Sequence, residues 1–260
     1  TKNGIEHEVT LNHPLKVMTR NGNIVWKQAE NIQIGEYLLY RRGFFRDSTE
    51  KEVFSKKDAY IAGMFIADGY LTGNGGFTNN DLMKKVSRWL SDNQIKHRIY
   101  DRSRNGKYST TELKVSSRSG ILKILQILDL PEGKSKDKFV PSVYRCSGKQ
   151  IAISFLKGYV DCEGFFTNNS LEVTSASKKL LSQVQQMLIG IGILSSLNKK
   201  TVKIYPNNEY WRLYVSGSNF IKYVETVGSA ILSRKEQFKG FDEERYPSYD
   251  GSEIIPHQRN

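Results

Sequence analysis

The sequence predicts an α+β protein of two pseudo-symmetric halves, each with the element order αββαββα, behind a small N-terminal β region. One observation is a motif that occurs twice with similar surroundings. A second is charge that alternates in blocks, since 84–149 and 178–239 are strongly basic whereas 57–83 and 150–177 are slightly acidic. A third is a series of β-like segments in residues 1–50. The duplicated motif and the charge blocks together indicate an internal repeat.

The composition limits the class of protein. A chain of 260 residues with 38% hydrophobic and 25% charged residues is typical of a folded protein of one or two domains. No apolar run approaches the roughly 18 residues of a membrane span, and the chain carries no secretory signal, so we expect an intracellular protein without a membrane partner. Two cysteines, Cys146 and Cys162, argue against a disulfide framework or a cysteine-based zinc site. The net charge of +12 favours a polyanionic partner over a purely solubilising role.

Residues 1–50 form the predicted N-terminal β region, which begins near Glu8 and runs to Leu39. It resembles part of an intein splicing (Hint) region, in which a Thr-x-x-His motif assists the first acyl shift. Thr10 and His13 stand at those positions and are interpreted as a vestigial splicing motif. Neither a Cys or Ser at residue 1 nor a terminal His-Asn pair is present, so this chain is not expected to splice itself. It is either part of a longer intein or an endonuclease that kept intein strands.

Repeat 1 is expected over about 54–130, within an endonuclease-like region of 54–235. It opens with an apolar helix ending at Asp68, and it contains a hairpin that turns at Asn105-Gly106. The elements after the opening helix are a short β-like stretch, an amphipathic helix, the hairpin and a closing helix, expected over 70–78, 81–94, 98–115 and 120–128.

Repeat 2 is expected over about 148–230 with the same order of elements, joined to repeat 1 by the segment around Pro131–Pro141. Its hairpin is predicted as strands 202–205 and 210–215 around Asn207-Asn208. Its two later helices are predicted over 178–191 and 219–227. Residues 236–260 are predicted to be an irregular C-terminal tail.

Each opening helix ends in an acidic residue followed by glycine, as Asp68-Gly69 and Glu163-Gly164. Glycine is a common helix stop because it enters the left-handed conformation cheaply. A carboxylate in the last turn is unfavourable because the C-terminal end of a helix carries partial negative charge. Because both copies place a carboxylate at this unfavourable position, the pair points to a functional site.

A divalent cation bound at this place would make the two carboxylates favourable, because it attracts the negative charge that otherwise collects at the helix ends. Two helix ends with carboxylates and free carbonyls, such as those of Ala67 and Cys162, form an oxygen-rich site suited to Mg²⁺. Gly63 and Gly158 lack side chains and would let the two helices approach closely, which brings the acids together.

Segments 61–69 and 156–164 resemble the LAGLIDADG motif of homing endonucleases. The resemblance implies that the motif helices form the interface between the halves. It also implies that Asp68 and Glu163, at the eighth motif position, bind a divalent metal and activate water. The implied cofactor is Mg²⁺, for which Mn²⁺ substitutes, whereas Ca²⁺ binds without supporting cleavage.

The motif departs from the family pattern at two positions, with Ile66 in place of the sixth-position Asp and Lys157 where a small residue is usual. The family also places a basic residue near each metal site. Lys114, before the closing helix of repeat 1, matches that position, and its counterpart in repeat 2 is Tyr214 or Leu213. Lys114 is therefore a candidate catalytic residue, and the alternative is a strand lysine that touches phosphate or solvent.

The resemblance implies that each half lays a twisted antiparallel sheet into the major groove of DNA, which is wide enough for a β-ribbon. Arginine reads guanine bidentately, and lysine more often meets phosphate. The candidate DNA-binding residues are the basic side chains of the predicted hairpins and their flanks: Arg98, Arg102, Arg104, Lys107, Arg118, Lys199, Lys200, Lys203 and Arg212.

The sequence therefore predicts a site-specific double-strand DNA homing endonuclease. The duplication supplies both halves, so a monomer is expected to bind a long asymmetric site on double-stranded DNA. One alternative is a nucleic-acid-binding protein that does not cleave, either an intron maturase that binds RNA or a DNA-binding regulator. Another is a fragment of a protein-splicing intein.

Overall fold

The computed structural model describes residues 1, 3–47, 52–71, 75–104, 108–167, 169–202 and 208–238. Across these ranges the protein is α+β, as predicted, with a small N-terminal sheet and two units in which helices cover an antiparallel sheet. None of the helices in this part of the chain is long and apolar enough to cross a bilayer.

The N-terminal sheet consists of three short strands, β1 (Pro14–Met18), β2 (Ile24–Gln28) and β3 (Tyr37–Leu38). They pair antiparallel in the order β2-β1-β3. The segments that flank this sheet bond to the second repeat. The N–H of Leu197 donates to the carbonyl of Asn3 at 3.0 Å. The N-terminal region is thus attached to repeat 2.

Repeat 1 begins at Ser55, whose hydroxyl caps the first helix by accepting the N–H of Asp58. Of the predicted pair of strands between the first two helices, the described residues form one short strand and a bridge from Tyr70 to Gly76, and residues 72–74 lie outside the described ranges. This stretch is rich in glycine, which weakens strands. The elements are α1 (Lys56–Asp68), β4 (Gly76–Phe77), α2 (Asn80–Asp92), β5 (His97–Arg104), β6 (Tyr108–Val115) and α3 (Arg118–Leu128). The sheet order is β4-β6-β5.

Repeat 2 has the full predicted order αββαββα, and its sheet order is β7-β8-β10-β9. A short helix, α4 (Ser142–Arg145), leads into it. Its elements are α5 (Lys149–Glu163), β7 (Gly164–Phe166), β8 (Ser170–Ser175), α6 (Lys178–Gly190), β9 (Ser196–Lys200), β10 (Tyr210–Ser216) and α7 (Gly217–Thr226).

Two predictions about the second half of the chain were wrong in position. The first hairpin strand is β9 rather than 202–205, because Leu197 is buried opposite Leu213 and this pairing fixes the register. Residues 203–207 lie outside the described ranges. The chain also continues as α8 (Leu232–Phe238), where the irregular tail was expected to begin. Phe238 is buried against aromatic rings of repeat 2, and the predicted tail from 239 onward lies outside the described residues.

Helices α1 and α5 pack directly against each other at the centre of the molecule. A Cβ atom on Gly63 would lie 2.1 Å from the carbonyl oxygen of Phe155, and one on Gly158 would lie 1.9 Å from that of Tyr60. Real Cβ contacts are not this short, so both glycines are required for the observed approach. This confirms the close helix packing inferred from the duplicated motif.

Candidate functional site

The two motif acids lie at the last positions of the central helices, Asp68 in α1 and Glu163 in α5. The glycines after them have extended backbones, with φ of −74° at Gly69 and −73° at Gly164, so the expected left-handed stop is wrong. Glycine is needed here for space. An added Cβ would lie 2.6 Å from the carbonyl oxygen of Phe65 or 2.5 Å from that of Val160, in the last turn of each helix.

The structure brings the two carboxyl groups within electrostatic range of each other. Burial, followed by the negative charge of Asp68, raises the pKa of Glu163 to about 7, although Lys138 opposes this rise. Glu163 as a whole is nevertheless exposed to solvent. The hydroxyl of Thr78 donates to the Asp68 carboxylate, 2.9 Å from each oxygen. Asp68 is thus oriented by a protein partner, whereas Glu163 faces a like charge.

Lys138 is a site residue that the sequence did not predict. Its ammonium donates to the carbonyls of Ala67 at 2.8 Å and Gly69 at 3.1 Å, at the C-terminal end of α1. Burial lowers the pKa of Lys138, and the nearby charges of Glu163 and Asp68 oppose that change. The Ala67 carbonyl, predicted as a metal ligand, therefore already accepts a hydrogen bond from the protein.

Arg234 takes the matching place at the end of α5, and it was also missed. Its guanidinium donates to the carbonyls of Asp161 at 2.9 Å, Val160 at 3.1 Å and Gly164 at 2.9 Å. A cation at a helix C-terminus is favoured by the helix dipole. Lys138 and Arg234 each follow the closing helix of their repeat, so an alignment of the repeats continued past those helices would have identified them.

Asp161, at the sixth motif position, is fully buried and fastens three parts of the fold together. Its carboxylate accepts hydrogen bonds from the hydroxyl of Tyr60 at 2.8 Å, from the backbone N–H of Ala230 at 2.9 Å and from the hydroxyl of Ser229. These contacts connect α5 to α1 and to the loop before α8. Repeat 1 has Ile66 at the equivalent position, so this network exists in one half only.

Lys114 lies on β6, paired across the sheet with Gly76 on one side and Arg98 on the other. It lines a groove of about 740 Å³ together with Arg98, Ile99 and Tyr100. This position puts Lys114 on the sheet surface, whereas Lys138 is the lysine that contacts the end of α1. The catalytic role of Lys114 stays a prediction.

The residues present fit a divalent cation held by two carboxylates. Within the described ranges no group of three or more His, Cys, Asp or Glu side chains could hold a metal. Asp68 and Glu163 would supply two carboxylate ligands, and water or a phosphate oxygen would complete an oxygen shell. Burial and, after it, repulsion by Asp68 raise the pKa of Glu163, and a cation bound between the acids would relieve that repulsion. The carbonyl of Cys162 stays a predicted ligand.

The predicted DNA-binding residues fall into groups with different surroundings. Arg98 is exposed on β5, and the backbones of Arg102 and Arg104 continue that strand. Lys107 and Lys203 lie outside the described residues. Arg118 is at the start of α3 rather than on the sheet, and its guanidinium donates to both carboxylate oxygens of Glu132.

The basic residues of the repeat 2 sheet are held by acidic neighbours. Lys199 pairs with Glu209, and Lys200 pairs with Glu172. The Arg212 guanidinium lies 3.6 Å from the same Glu172 carboxylate. Glu172 therefore orients two of the predicted contact residues on one sheet face, and both remain partly accessible to solvent.

The predicted splicing residues lie in the turn that leads into β1. The N–H of His13 donates to the carbonyl of Thr10 at 3.0 Å, and the carbonyl of His13 accepts from Ala29 at 2.9 Å. Both residues thus lie next to the N-terminal sheet, and their splicing origin stays a prediction.

The profile of the LAGLIDADG-like domain matches residues 55–128 and 150–228. A replication factor C small subunit of Methanocaldococcus jannaschii is 28% identical over 96% of this chain. A probable translation initiation factor IF-2 of the same organism is 26% identical over 72% of it. The chain spans only 13% and 17% of the lengths of these two relatives. The crystal structure of I-DmoI in complex with DNA and Ca has a TM-score of 0.50 and 18% identity, covering 70% of this chain and 96% of that chain.

Proposed function

Because the chain belongs to the LAGLIDADG-like domain family, we propose that it is a site-specific homing endonuclease that hydrolyses phosphodiester bonds in both strands of DNA. The observation that carries this proposal is the pair of acids, Asp68 and Glu163, at matched ends of two helices that cross through glycines. Both halves keep their acid. A scaffold used only for binding has no need to hold two carboxylates against the helix dipoles.

Asp68 and Glu163 are proposed to hold Mg²⁺, for which Mn²⁺ substitutes, whereas Ca²⁺ supports binding without cleavage. A bound divalent ion lowers the pKa of water and stabilises charge on phosphate oxygens. Thr78 fixes the direction of the Asp68 carboxylate. Lys138 holds the end of α1 and places a positive charge near both acids. I-DmoI, in the structure named above, is in complex with DNA and Ca.

The two antiparallel sheets are proposed to contact the DNA. Repeat 1 offers the groove formed by Arg98, Tyr100 and Lys114, and repeat 2 offers the surface around Lys200 and Arg212. The side chains of the two sheets differ, so the preferred site is long and asymmetric. One chain supplies both halves, and we therefore expect a monomer to cut.

The test is cleavage of a randomised double-stranded DNA library with Mg²⁺. It compares the wild type with the Asp68→Asn/Glu163→Gln variant, and a Ca²⁺ reaction serves as a further control. We expect one consensus site, cut only by the wild type with Mg²⁺, and binding that weakens steeply as salt rises. Enrichment of bound sequences without cut ends would contradict the nuclease. It would favour the non-cleaving alternative, and RNA would then be the next ligand.

We further propose that the chain is an intein-derived segment. Two relatives whose names indicate different functions, replication and translation, each contain a short region similar to this chain. A region shared by such different proteins is expected to be an insertion rather than part of either function. Sequencing the gene beyond both ends of this segment tests the proposal, because the reading frame of a host protein should continue there. A stop codon directly flanking the segment on either side would contradict it.

A further inference from the structure

A second groove, of about 550 Å³, lies among α1, α2 and α5, away from the two acids. Its floor is formed by Tyr60, Ile61 and Ala230. Tyr60 precedes Asp68 by two helical turns, which places the groove about 12 Å along α1 from the acids. The cationic side chains that line it are Lys56, Lys57, Lys84, Lys85, Arg88 and Lys157.

Several of these cations are not neutralised by the fold. Lys57 pairs with Asp92, but Lys84, Arg88 and Lys157 have no hydrogen-bond or ion-pair partner within the ranges that the structure describes. Burial lowers the pKa of Lys157, the charge of Asp161 acts in the opposite direction, and the positive charges of Lys235 and Lys85 lower it further. Like charges held together in a partly desolvated groove repel each other, and an anionic ligand would relieve that repulsion.

The equivalent surface of repeat 2 is covered by the chain's own inter-repeat linker. The ring of Tyr144 stacks on Phe155, with centroids 4.9 Å apart and an interplanar angle of 26°. The N–H of Val140 donates to the side-chain oxygen of Gln183 at 2.8 Å. This surface therefore accepts a peptide segment that places one aromatic ring on the central helix and bonds to the neighbouring helix.

Repeat 1 presents the same positions without such a covering segment. Tyr60 corresponds to Phe155 when the motif glycines are aligned, and Lys85 corresponds to Gln183 when the buried faces of α2 and α6 are aligned. Phe155 is fully buried, whereas Tyr60 is only half-buried, and the ammonium of Lys85 lies 5.2 Å from its ring centroid. Basic residues have replaced the neutral ones around an otherwise similar floor.

We propose that this groove docks an acidic peptide segment of a partner protein, with an aromatic side chain seated beside Tyr60 and carboxylates facing Lys84, Arg88 and Lys157. The floor favours a peptide over a nucleic acid because the precedent in repeat 2 is a peptide and the floor is largely apolar. The proposal also accounts for Lys157 at a motif position where a small residue is usual. It does not depend on DNA cleavage.

The test is fluorescence anisotropy with a short labelled peptide of aspartates and glutamates around one tyrosine, titrated with the full chain. The Lys84→Glu/Arg88→Glu variant reverses two exposed charges of the groove. The Lys134→Glu/Lys136→Glu variant makes the same change at exposed positions outside it. We expect binding at least about tenfold weaker in the groove variant and unchanged in the control variant. Replacing the tyrosine of the peptide by serine should also weaken binding.

Urea denaturation establishes that both variants are folded, and DNA cleavage by the groove variant should match the wild type. Equal peptide binding by the groove variant and the wild type would overturn the proposal. An RNA or DNA oligonucleotide that displaces the peptide and depends on Lys84 and Arg88 would reassign the groove to nucleic acid. A dimer that is lost in the groove variant would reassign it to a second copy of the chain.

Discussion

The crossing of α1 and α5 is tested most directly by Gly63→Ala. The new methyl group would lie 2.1 Å from the carbonyl oxygen of Phe155 and 2.7 Å from the backbone nitrogen of Tyr159. Non-bonded heavy atoms pack at about 3.5 Å, so the helices must separate by roughly 1.4 Å at this point. Both contacts are backbone atoms and cannot rotate away as a flexible side chain could.

Two effects of the substitution oppose each other, and their sizes decide the outcome. Alanine gains about 1 kcal/mol over glycine inside a helix. Overpacking costs about 1 to 3 kcal/mol, and the upper end applies here because a radial gap of this size also forfeits a large part of the dispersion attraction around buried Met64 and Phe155. We expect a net loss of about 2 kcal/mol in the free energy of unfolding.

The assay is urea denaturation followed by circular dichroism. Gly133→Ala is the matched control, because its methyl group would meet only the Cβ of Asp137, at 3.6 Å. We expect that control to match the wild type within about 0.5 kcal/mol. Cleavage gives a second readout, since a 1 Å displacement of catalytic groups costs about a hundredfold in rate. A Gly63→Ala protein as stable as the wild type would refute the close approach of the helices.

Three further predictions concern the ends of the motif helices. In metal-free buffer Glu163→Gln should flatten the pH dependence of stability. The folded pKa of Glu163, about 7, lies above the ordinary 4.5. The stabilisation that this carboxyl gives the folded state is therefore complete below pH 4.5 and is lost as pH rises towards 7. We expect the wild type to lose about 1 kcal/mol relative to the variant between pH 5 and 8 in urea titrations, a value reduced for solvent contact; parallel pH profiles would contradict it. Asp161→Asn should lower the free energy of unfolding by about 3 kcal/mol, because it leaves the buried partners of that carboxylate unmatched, and an unchanged urea midpoint would count against the network. Lys138→Met should slow DNA cleavage by about a hundredfold at unchanged DNA affinity, and more than Lys114→Met does; the reverse order would return the catalytic role to Lys114.

The duplication explains how much of the fold could be predicted from the sequence. The two glycine-containing helices and the acids at their ends follow from residues that recur in register, and the structure confirms both helices. The hairpin of repeat 2 was misplaced because alternation near 202–205 competes with the burial of Leu197, and only the tertiary partner Leu213 decides between them. Local sequence cannot supply that information.

The basic residues of the site were harder to predict than the acids, for a physical reason. Asp68 and Glu163 stand out because they break a helix rule in both copies. Lys138 and Arg234 lie in irregular or later segments and reach the site through backbone carbonyls, so neither has a local pattern. Lys114 was matched to the family's basic residue because it precedes a closing helix, but in the structure it lies in strand β6 of the sheet. Lys138 and Arg234 are identified only when their similar distances after the closing helices are combined with the fold, which brings both residues back to the ends of α1 and α5.

The arrangement of charge at the two helix ends leaves the carboxylates available. Lys138 and Arg234 satisfy main-chain carbonyls, which offsets the negative ends of the helix dipoles. Neither cation makes a hydrogen bond to Asp68 or Glu163 within the described structure. Burial and the charge of Asp68 raise the pKa of Glu163, whereas a cation paired directly with that carboxylate would act in the opposite direction. The fold thus stabilises its helix ends while keeping the two acids under mutual repulsion, and that repulsion is what a divalent cation between them would remove.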